Sequence, residues 1–443
     1  MTALAPHVVG VDVGSSSARA VALDADGVVS ADFIARYPMA DASVRGRIDP
    51  AMWLSGLQAA VSGLGVGTPA ALAIGGYGPC TVAANGQAAL TFRYPVGDPS
   101  DPRDQHVAQT AELRQLFGPD VDPVLLWNWL IARLGGRSGI QSVWPGDEPL
   151  PEFGEPVSVG TAIGTTSGEF DLAAGIPLVP ASNDGYLTAW AAGIDSPGLG
   201  FDPGGVTGGL GVAMVPSGGG EVAPYGIPSA AAGVQIVGGP VASHGAMLEW
   251  WAGLVGGEIG ELLEAAASVA PGSDGVLVLP FLEGERAPRW NTELRAEIVG
   301  LHASHDAAVV TRAILESTAF GLAHIAREVA AQGAVLERLV CCGKPSRIPL
   351  WTSIKAAVLE VPVDVPQQRE MAAYGAALAA GAALEWWPIP GAGQSGDWPT
   401  PEVTTVEAEP LTVYREQLEQ FIALGDAAQA RTTERHGVGR ERV

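Results

Sequence analysis

Basic residues are scarce in this chain: 24 lysines and arginines stand against 48 aspartates and glutamates, a formal net charge of −24 over 443 residues. So acidic a surface does not attract nucleic acid or an anionic membrane, and any anionic ligand must be met by donors gathered locally. Cysteine is nearly absent too. The three present, Cys80, Cys341 and Cys342, are an odd number with an adjacent pair, which excludes a disulfide framework and points to a reducing, cytoplasmic setting. No cluster of histidine and cysteine has zinc-site spacing. The N-terminus has no basic region followed by an apolar core, and no run of about 18 apolar residues occurs, so neither a targeting segment nor a membrane span is expected. What is present suits a globular α/β protein: 47% hydrophobic residues, 59 glycines, and a length that calls for two substantial domains.

Residues 8–23, VVGVDVGSSSARAVAL, hold the most informative pattern. An apolar strand carries one acid, Asp12, then a turn of Gly14, Ser15, Ser16 and Ser17, then a second strand from Arg19. A strand buries a carboxylate only when something pairs with it, and the turn offers hydroxyl and backbone donors to an anion. An acid so placed commonly holds Mg²⁺. Gly10 and Gly14 do not have the spacing of a dinucleotide-binding turn, and the run after Arg19 alternates like a strand. A plain β-hairpin with a polar turn fits the same letters. A hairpin turn over 24–27 leads to a third strand over 28–35. Helical spacing over 51–64 places Trp53, Leu54, Leu57 and Val61 on one face, and a short strand over 70–74 ends at Gly75, Gly76, Tyr77, Gly78 and Pro79. Residues 93–105 read as loop and 124–134 as a tryptophan-rich helix. Strand 176–179 is followed by a small-residue helix over 184–192. The opening pattern then recurs weakly: Gly204, Gly205, Val206, Thr207, Gly208 and Gly209 precede a strand over 210–215 and a turn over 216–220. Helices follow over 243–254, 307–331, 349–359 and 371–383, with a strand over 361–365 and a terminal helix over 411–431.

Asp184 is the leading catalytic candidate. It sits at the start of a helix, where an Asp can equally be an N-cap, but in company with Asp12 it could accept a hydroxyl proton. The turn from Gly205 to Gly208 allows close backbone approach to a phosphate, and Thr207 adds a hydroxyl. Gly343 and Lys344 follow an apolar strand, yet the first glycine of a Walker A loop is missing. His302, His305 and His324 have spacing that could suggest a metal site, but no acid or cysteine cluster accompanies them, and surface or capping roles are expected. Trp127, Trp129, Trp250 and Trp251 are expected to pack in the core or between domains.

The C-terminal half carries a resemblance. LPFLEGERAPRWNTELRAEIVGL at 279–301 is similar to the signature of the FGGY carbohydrate kinases, within the actin/Hsp70/hexokinase superfamily. RAILESTAFGL, GKPSRIPLW and VPVDVPQQREMAAYGAAL follow in the family's order. The resemblance implies two α/β domains of RNase H type flanking a nucleotide and substrate cleft, here 1–198 on the sugar side and 199–443 on the nucleotide side. It implies ATP and Mg²⁺ as cofactors and phosphorylation of a hydroxyl on a small open-chain carbohydrate, such as xylulose or gluconate. Asp184 falls on the family's general base, and Asp12 on its metal-linked acid, with Asp184 beside the same metal. Gly14, Ser15, Ser16 and Arg19 fall on the first phosphate loop. Gly205, Val206, Thr207 and Gly208 fall on the second, Gly343 and Lys344 on the adenosine-side turn, and Gly76, Tyr77 and Gly78 on the segment that reaches the sugar.

The departures lie mostly on the sugar side. Tyr77 replaces a usual glutamine, and Gly185 another. Lys344 stands where a glycine is usual, and Val206 removes one hydroxyl. A Trp-x-Asp-x-Arg substrate segment is not recognisable over 91–103, and the stretch between Trp129 and Phe153 is short. A binding protein that kept the fold and lost efficient transfer is the alternative. No nucleic-acid or membrane partner is expected, and a homodimer is compatible with the chain.

Overall fold

A computed structural model of the chain describes residues 6–37, 46–98, 100–205, 208–216, 227–241 and 243–440. Two mixed sheets organise it, and they share one topology. The first has the order Leu178–Asn183, Leu72–Gly76, His7–Val13, Ser17–Asp24, Val29–Arg36. Its last three strands form an antiparallel meander, while Leu72–Gly76 runs parallel to both His7–Val13 and Leu178–Asn183. The second sheet repeats the plan. Leu199–Asp202, Gly209–Met214 and Gln235–Pro240 are the meander, and Arg338–Cys341 and Val363–Pro366 are added in parallel. Short strands Ile227–Pro228 and Val403–Val406 close its edges. This is the duplicated RNase H-like architecture expected from the weak repeat.

The reason lies in burial. All seven residues of His7–Val13 are buried, so this strand must be covered on both faces. Helix Ala51–Gly63 covers one face with Trp53, Leu54 and Leu57, while Val61 is only half-buried. Helix Met371–Ala382 covers the other, although it lies far along the chain and follows a strand of the second sheet. It packs backbone to backbone. A side chain added at Gly10 would put its Cβ 2.0 Å from the amide nitrogen of Ala377, and one at Gly375 would meet the Leu187 carbonyl oxygen at 2.2 Å. The small residues of MAAYGAALAAGA are therefore what lets the helix join the first sheet to helix Asp184–Ala191.

Two expectations need correction. Residues 93–105 are not all loop, because helix Pro102–Phe117 starts within them. Asp101 caps it by accepting from the amides of Arg103 and Asp104, and Pro102 occupies the first turn, where its missing N–H costs nothing. Trp250 is not packed inside but 42% exposed, whereas Trp127 and Trp129 are buried as expected. The turn expected over 216–220 lies largely outside the described residues. Among those residues no helix is long and apolar enough to cross a membrane.

Gly10→Val should lower stability by about 2 kcal/mol or more, because neither neighbouring backbone can yield without disturbing the core. Urea unfolding followed by tryptophan fluorescence measures it. An unchanged midpoint would mean that the helix does not seat flush on the strand.

Candidate functional site

The topology brings three strand ends together. Val13 pairs with Gly76, and Gly76 pairs with Asn183, so Asp12, Tyr77 and Asp184 emerge along one edge of the first sheet. Ligands of open α/β sheets gather at such carboxyl ends.

Asp12 lies directly across from Arg19 in the hairpin register, which puts both side chains on one face. Arg19 Nη1 donates to Asp12 Oδ2 at 2.8 Å, and Arg19 Nε meets Glu370 Oε2 at 3.1 Å. The guanidinium is thus held between two acids. The second oxygen of Asp12, Oδ1, is buried and has no hydrogen-bond partner among the described residues. An orphaned carboxylate oxygen is costly to bury, and a cation with its water shell would satisfy it. The turn itself is tight. The Gly14 amide donates to the Ser17 carbonyl at 2.9 Å, the Tyr37 amide donates to the Ser16 carbonyl at 3.1 Å, and the Tyr37 hydroxyl donates to the Gly14 carbonyl. Ser15 and Ser16 sit half-buried at its tip, and neither turn bond uses their amides.

Asp184 is not the N-cap of its helix. Asn183 takes that role, its side chain accepting from the Tyr186 amide at 3.0 Å. The Asp184 carboxylate is left free of capping and accepts from its neighbour, the Gly185 amide, at 2.9 Å. The residue is exposed, with protein packed closely around its carboxyl. Burial pushes its carboxyl up to about 7, with the charge of Asp12 adding to the rise and Arg19 opposing it. Tyr77 lines the same edge. Its ring meets Trp53 and Phe92 edge to face, with centroids 5.9 and 6.3 Å apart, and its hydroxyl is buried without a partner. Burial holds that phenol well above its ordinary value, with Arg93 and Asp184 both close enough to act on it. Gly76 and Gly78 flank it in the backbone.

The second glycine turn is organised by an acid of the second sheet. Asp202 Oδ1 accepts from the amides of Gly204 and Gly209, at 3.0 and 3.3 Å, so one carboxylate ties both ends of the turn. Its Oδ2 is paired with the fully buried Lys355 at 2.6 Å. Burial works against the charge of Asp202, but Lys355 outweighs it and keeps the carboxyl below its ordinary value. His244 lies beside the pair, stacked on Trp351 at 4.8 Å, and burial pushes it down to about 3, so the ring is neutral. Gly205 accepts from the Gly245 amide, and Gly208 from Val241. Gly204 is seated so closely on the Cys342 carbonyl oxygen, 2.0 Å from where a Cβ would lie, that the Gly343 turn and the glycine turn pack as one unit. Val206 and Thr207 lie outside the described residues. Lys344 is exposed, and its charge is felt at Glu370.

Four residues that line or support this site escape a reading of the sequence. Asp202 stands before its glycine turn as Asp12 stands before Gly14, so the repeat could have exposed it. Glu370 and Arg286 sit inside the conspicuous C-terminal motifs without a local sign of their role. Arg286 stacks over Trp290 at 5.8 Å, and burial lowers it to about 10 while nearby Asp184 opposes that shift. Tyr37 gives no local signal.

Two α/β units thus repeat one sheet plan, each with a buried acid on the strand before a glycine turn. Residues 211–384 match the C-terminal domain of the FGGY family of carbohydrate kinases. A glycerol kinase of Gloeobacter violaceus is 36% identical over 151 residues, 34% of this chain and 30% of that protein. A gluconokinase of Bacillus subtilis is 32% identical over 157 residues, 32% of this chain and 30% of that protein. The match thus spans about a third of the length of these curated relatives. Solved structures extend the likeness to nearly the whole chain. A ligand-bound xylulose kinase and a gluconate kinase, both from Lactobacillus acidophilus, superpose with TM-scores of 0.81 at 16% identity, covering 96% and 95% of this chain and 99% and 98% of theirs. The chain has the FGGY-family carbohydrate kinase fold.

Two stability measurements probe the site. Lys355→Met should cost about 3–5 kcal/mol, because it leaves Asp202 charged, buried and unpaired; an unchanged melting temperature would show that the pair is not charged. Asp184 binds its proton more tightly in the folded chain than in the unfolded one, so it removes stability as pH rises from about 4 to about 7. Asp184→Asn should therefore melt higher than the parent above pH 7, with the gap closing toward pH 4. A gap that does not change with pH would place the carboxyl at its ordinary value.

Proposed function

We propose that this chain is an ATP-dependent kinase that phosphorylates a hydroxyl of a small open-chain carbohydrate, a ketopentose such as xylulose or a sugar acid such as gluconate. The observation that carries the reading is the pair of acids at the first sheet's edge. Asp12 is paired with Arg19 at 2.8 Å with its other oxygen unpartnered among the described residues, and Asp184 stands uncapped with its carboxyl raised to about 7. The substrate classes follow the names of the relatives, xylulose, gluconate and glycerol kinases.

Asp184 takes the proton of the acceptor hydroxyl as that oxygen bonds to the γ-phosphorus and the bond from phosphorus to the bridging β,γ-oxygen breaks. Carboxyls near pH 7 suit this work, since a base matched to the operating pH is unprotonated yet still basic enough to accept. Asp12 through Oδ1, with Asp184 nearby, would hold Mg²⁺, which neutralises charge on the β- and γ-phosphates when bound. Gly14, Ser15 and Ser16 approach the phosphates from one side. Gly205 and Gly208 approach from the other, with the turn held by Asp202 through the amides of Gly204 and Gly209. Gly343 and Lys344 border the adenosine side, and Glu370 ties Arg19 to that half of the molecule. Gly76, Tyr77 and Gly78 face the sugar, where the unpartnered Tyr77 hydroxyl offers a donor and an acceptor to its hydroxyls.

The test is coupled ADP release across a panel of ketoses, polyols and sugar acids, with the Asp184→Asn variant in parallel. The parent should turn over at least one class, with an acidic limb in kcat near pH 7. The variant should lose about 10²–10⁴-fold in kcat while still binding ATP. Turnover retained in the variant would remove Asp184 from the chemistry. ATP binding with no ADP release from any acceptor would favour a nucleotide-binding protein without transfer.

A further inference from the structure

Outside the residues of the candidate site, the fold gathers Asp274, His302 and His305 near the surface. Asp274 belongs to the turn before strand Leu277–Leu279, and the histidines to the segment entering helix Ala307–Ala330. No cluster of acids or cysteines accompanies these histidines along the chain, and the neighbouring Asp306 is spent in capping the helix, accepting from the amides of Ala308 and Val309. The tertiary structure supplies the acid from another turn.

Both imidazoles aim the same atom at the same oxygen. His305 Nε2 lies 3.1 Å from Asp274 Oδ2, and His302 Nε2 lies 3.6 Å from it. The two rings lie in contact, their centroids 3.6 Å apart. A carboxylate–histidine hydrogen bond explains one imidazole there but not the second. Tetrahedral ligands bonded to a metal at about 2.0–2.1 Å stand about 3.3 Å from one another, which the two nitrogen–oxygen distances bracket, and all three ligand atoms lie within 4.8 Å of one another. We propose that Asp274, His302 and His305 form a site for a divalent transition-metal ion, Zn²⁺ or Co²⁺ in class, with water completing the coordination. Two imidazoles and one carboxylate favour such ions over Mg²⁺ or Ca²⁺, which prefer all-oxygen shells.

The surroundings hold the three ligands ready. His302 Nδ1 accepts from the Ser304 amide at 3.4 Å, with Ser304 Oγ 2.9 Å away, so its ring proton sits on Nε2 until a bound ion moves it to Nδ1, where the Ser304 hydroxyl can accept it. The side chain of His305 is only 3% exposed, so its ring has little freedom. Its Nδ1 accepts from the His302 amide at 3.2 Å, which places the ring proton on Nε2 while no metal is bound. Binding moves that proton to Nδ1 and leaves the exposed His302 amide to water, with no net proton released. On the other side, Ser273 and Asp274 both have φ of 48°, a left-handed pair that turns the carboxylate outward. The Ser273 hydroxyl is tied to Glu316 at 2.7 Å, within the long helix. A bound ion would therefore clamp the turn before the strand to the segment that starts the helix. It uses no residue of the candidate kinase site and does not depend on that reading.

The test uses the full chain without a polyhistidine tag, stripped by chelator and dialysed against ZnCl₂ or CoCl₂. The parent should bind one equivalent more than His302→Gln or Asp274→Asn, give visible ligand-field bands with Co²⁺, and melt higher with Zn²⁺ than without. Each variant should bind at least about tenfold more weakly and lose the bands. Both side chains are largely exposed, and far-ultraviolet circular dichroism checks that the variants fold. No binding by the parent overturns the proposal, and so does equal binding by parent and variants, since it would place the metal elsewhere.

Discussion

A carboxylate inside a fully buried strand is the constraint from which the first half of this molecule follows. Asp12 cannot remain charged there without a cation, and the hairpin register puts Arg19 directly opposite. Arg19 reaches a second acid, Glu370, at the start of the helix that covers the strand. One guanidinium thus ties the hairpin to a segment 351 positions further along, between residues 19 and 370. Arg19 occupies only one of its oxygens, and the other has no partner among the described residues. Asp184 responds to the same charge from the neighbouring strand end.

The second sheet solves the same problem with different residues. Asp202 is also buried before a glycine turn, but its cation, Lys355, comes from a helix 153 positions away rather than from the paired strand. The remaining oxygen goes to the backbone of the turn itself. One acid therefore keeps a buried oxygen without a partner among the described residues, while the other is used up in shaping the loop. Duplication of the fold has given two loops of similar letters with different physical work.

Much of this was legible along the chain. The opening hairpin and the helix after Asp184 are local structures, set by alternation, spacing and turn residues, and the motifs of the C-terminal half carry the family in their order. Misreadings came where a local signal had two meanings. Asp101 and Pro102 look like loop letters and are in fact a helix start. At Asp184 the same letters fitted a cap or a free carboxylate, and Asn183, one position earlier, takes the capping bond. Trp250 has the composition of a core residue but falls on the outer face of its helix.

The pairings could not be read in this way. Lys355 with Asp202, Glu370 with Arg19, Arg286 beside Asp184, and Asp274 beneath two histidines all join residues far apart in the chain, and no periodicity records them. The sequence by itself determined which segments become strands, turns and helices and which acids stand before glycine turns, since those depend on neighbours within a few residues. Only the tertiary structure decided which acids are neutralised, which are raised toward pH 7, and which keep an oxygen free. Those outcomes depend on charges and burial supplied by distant segments.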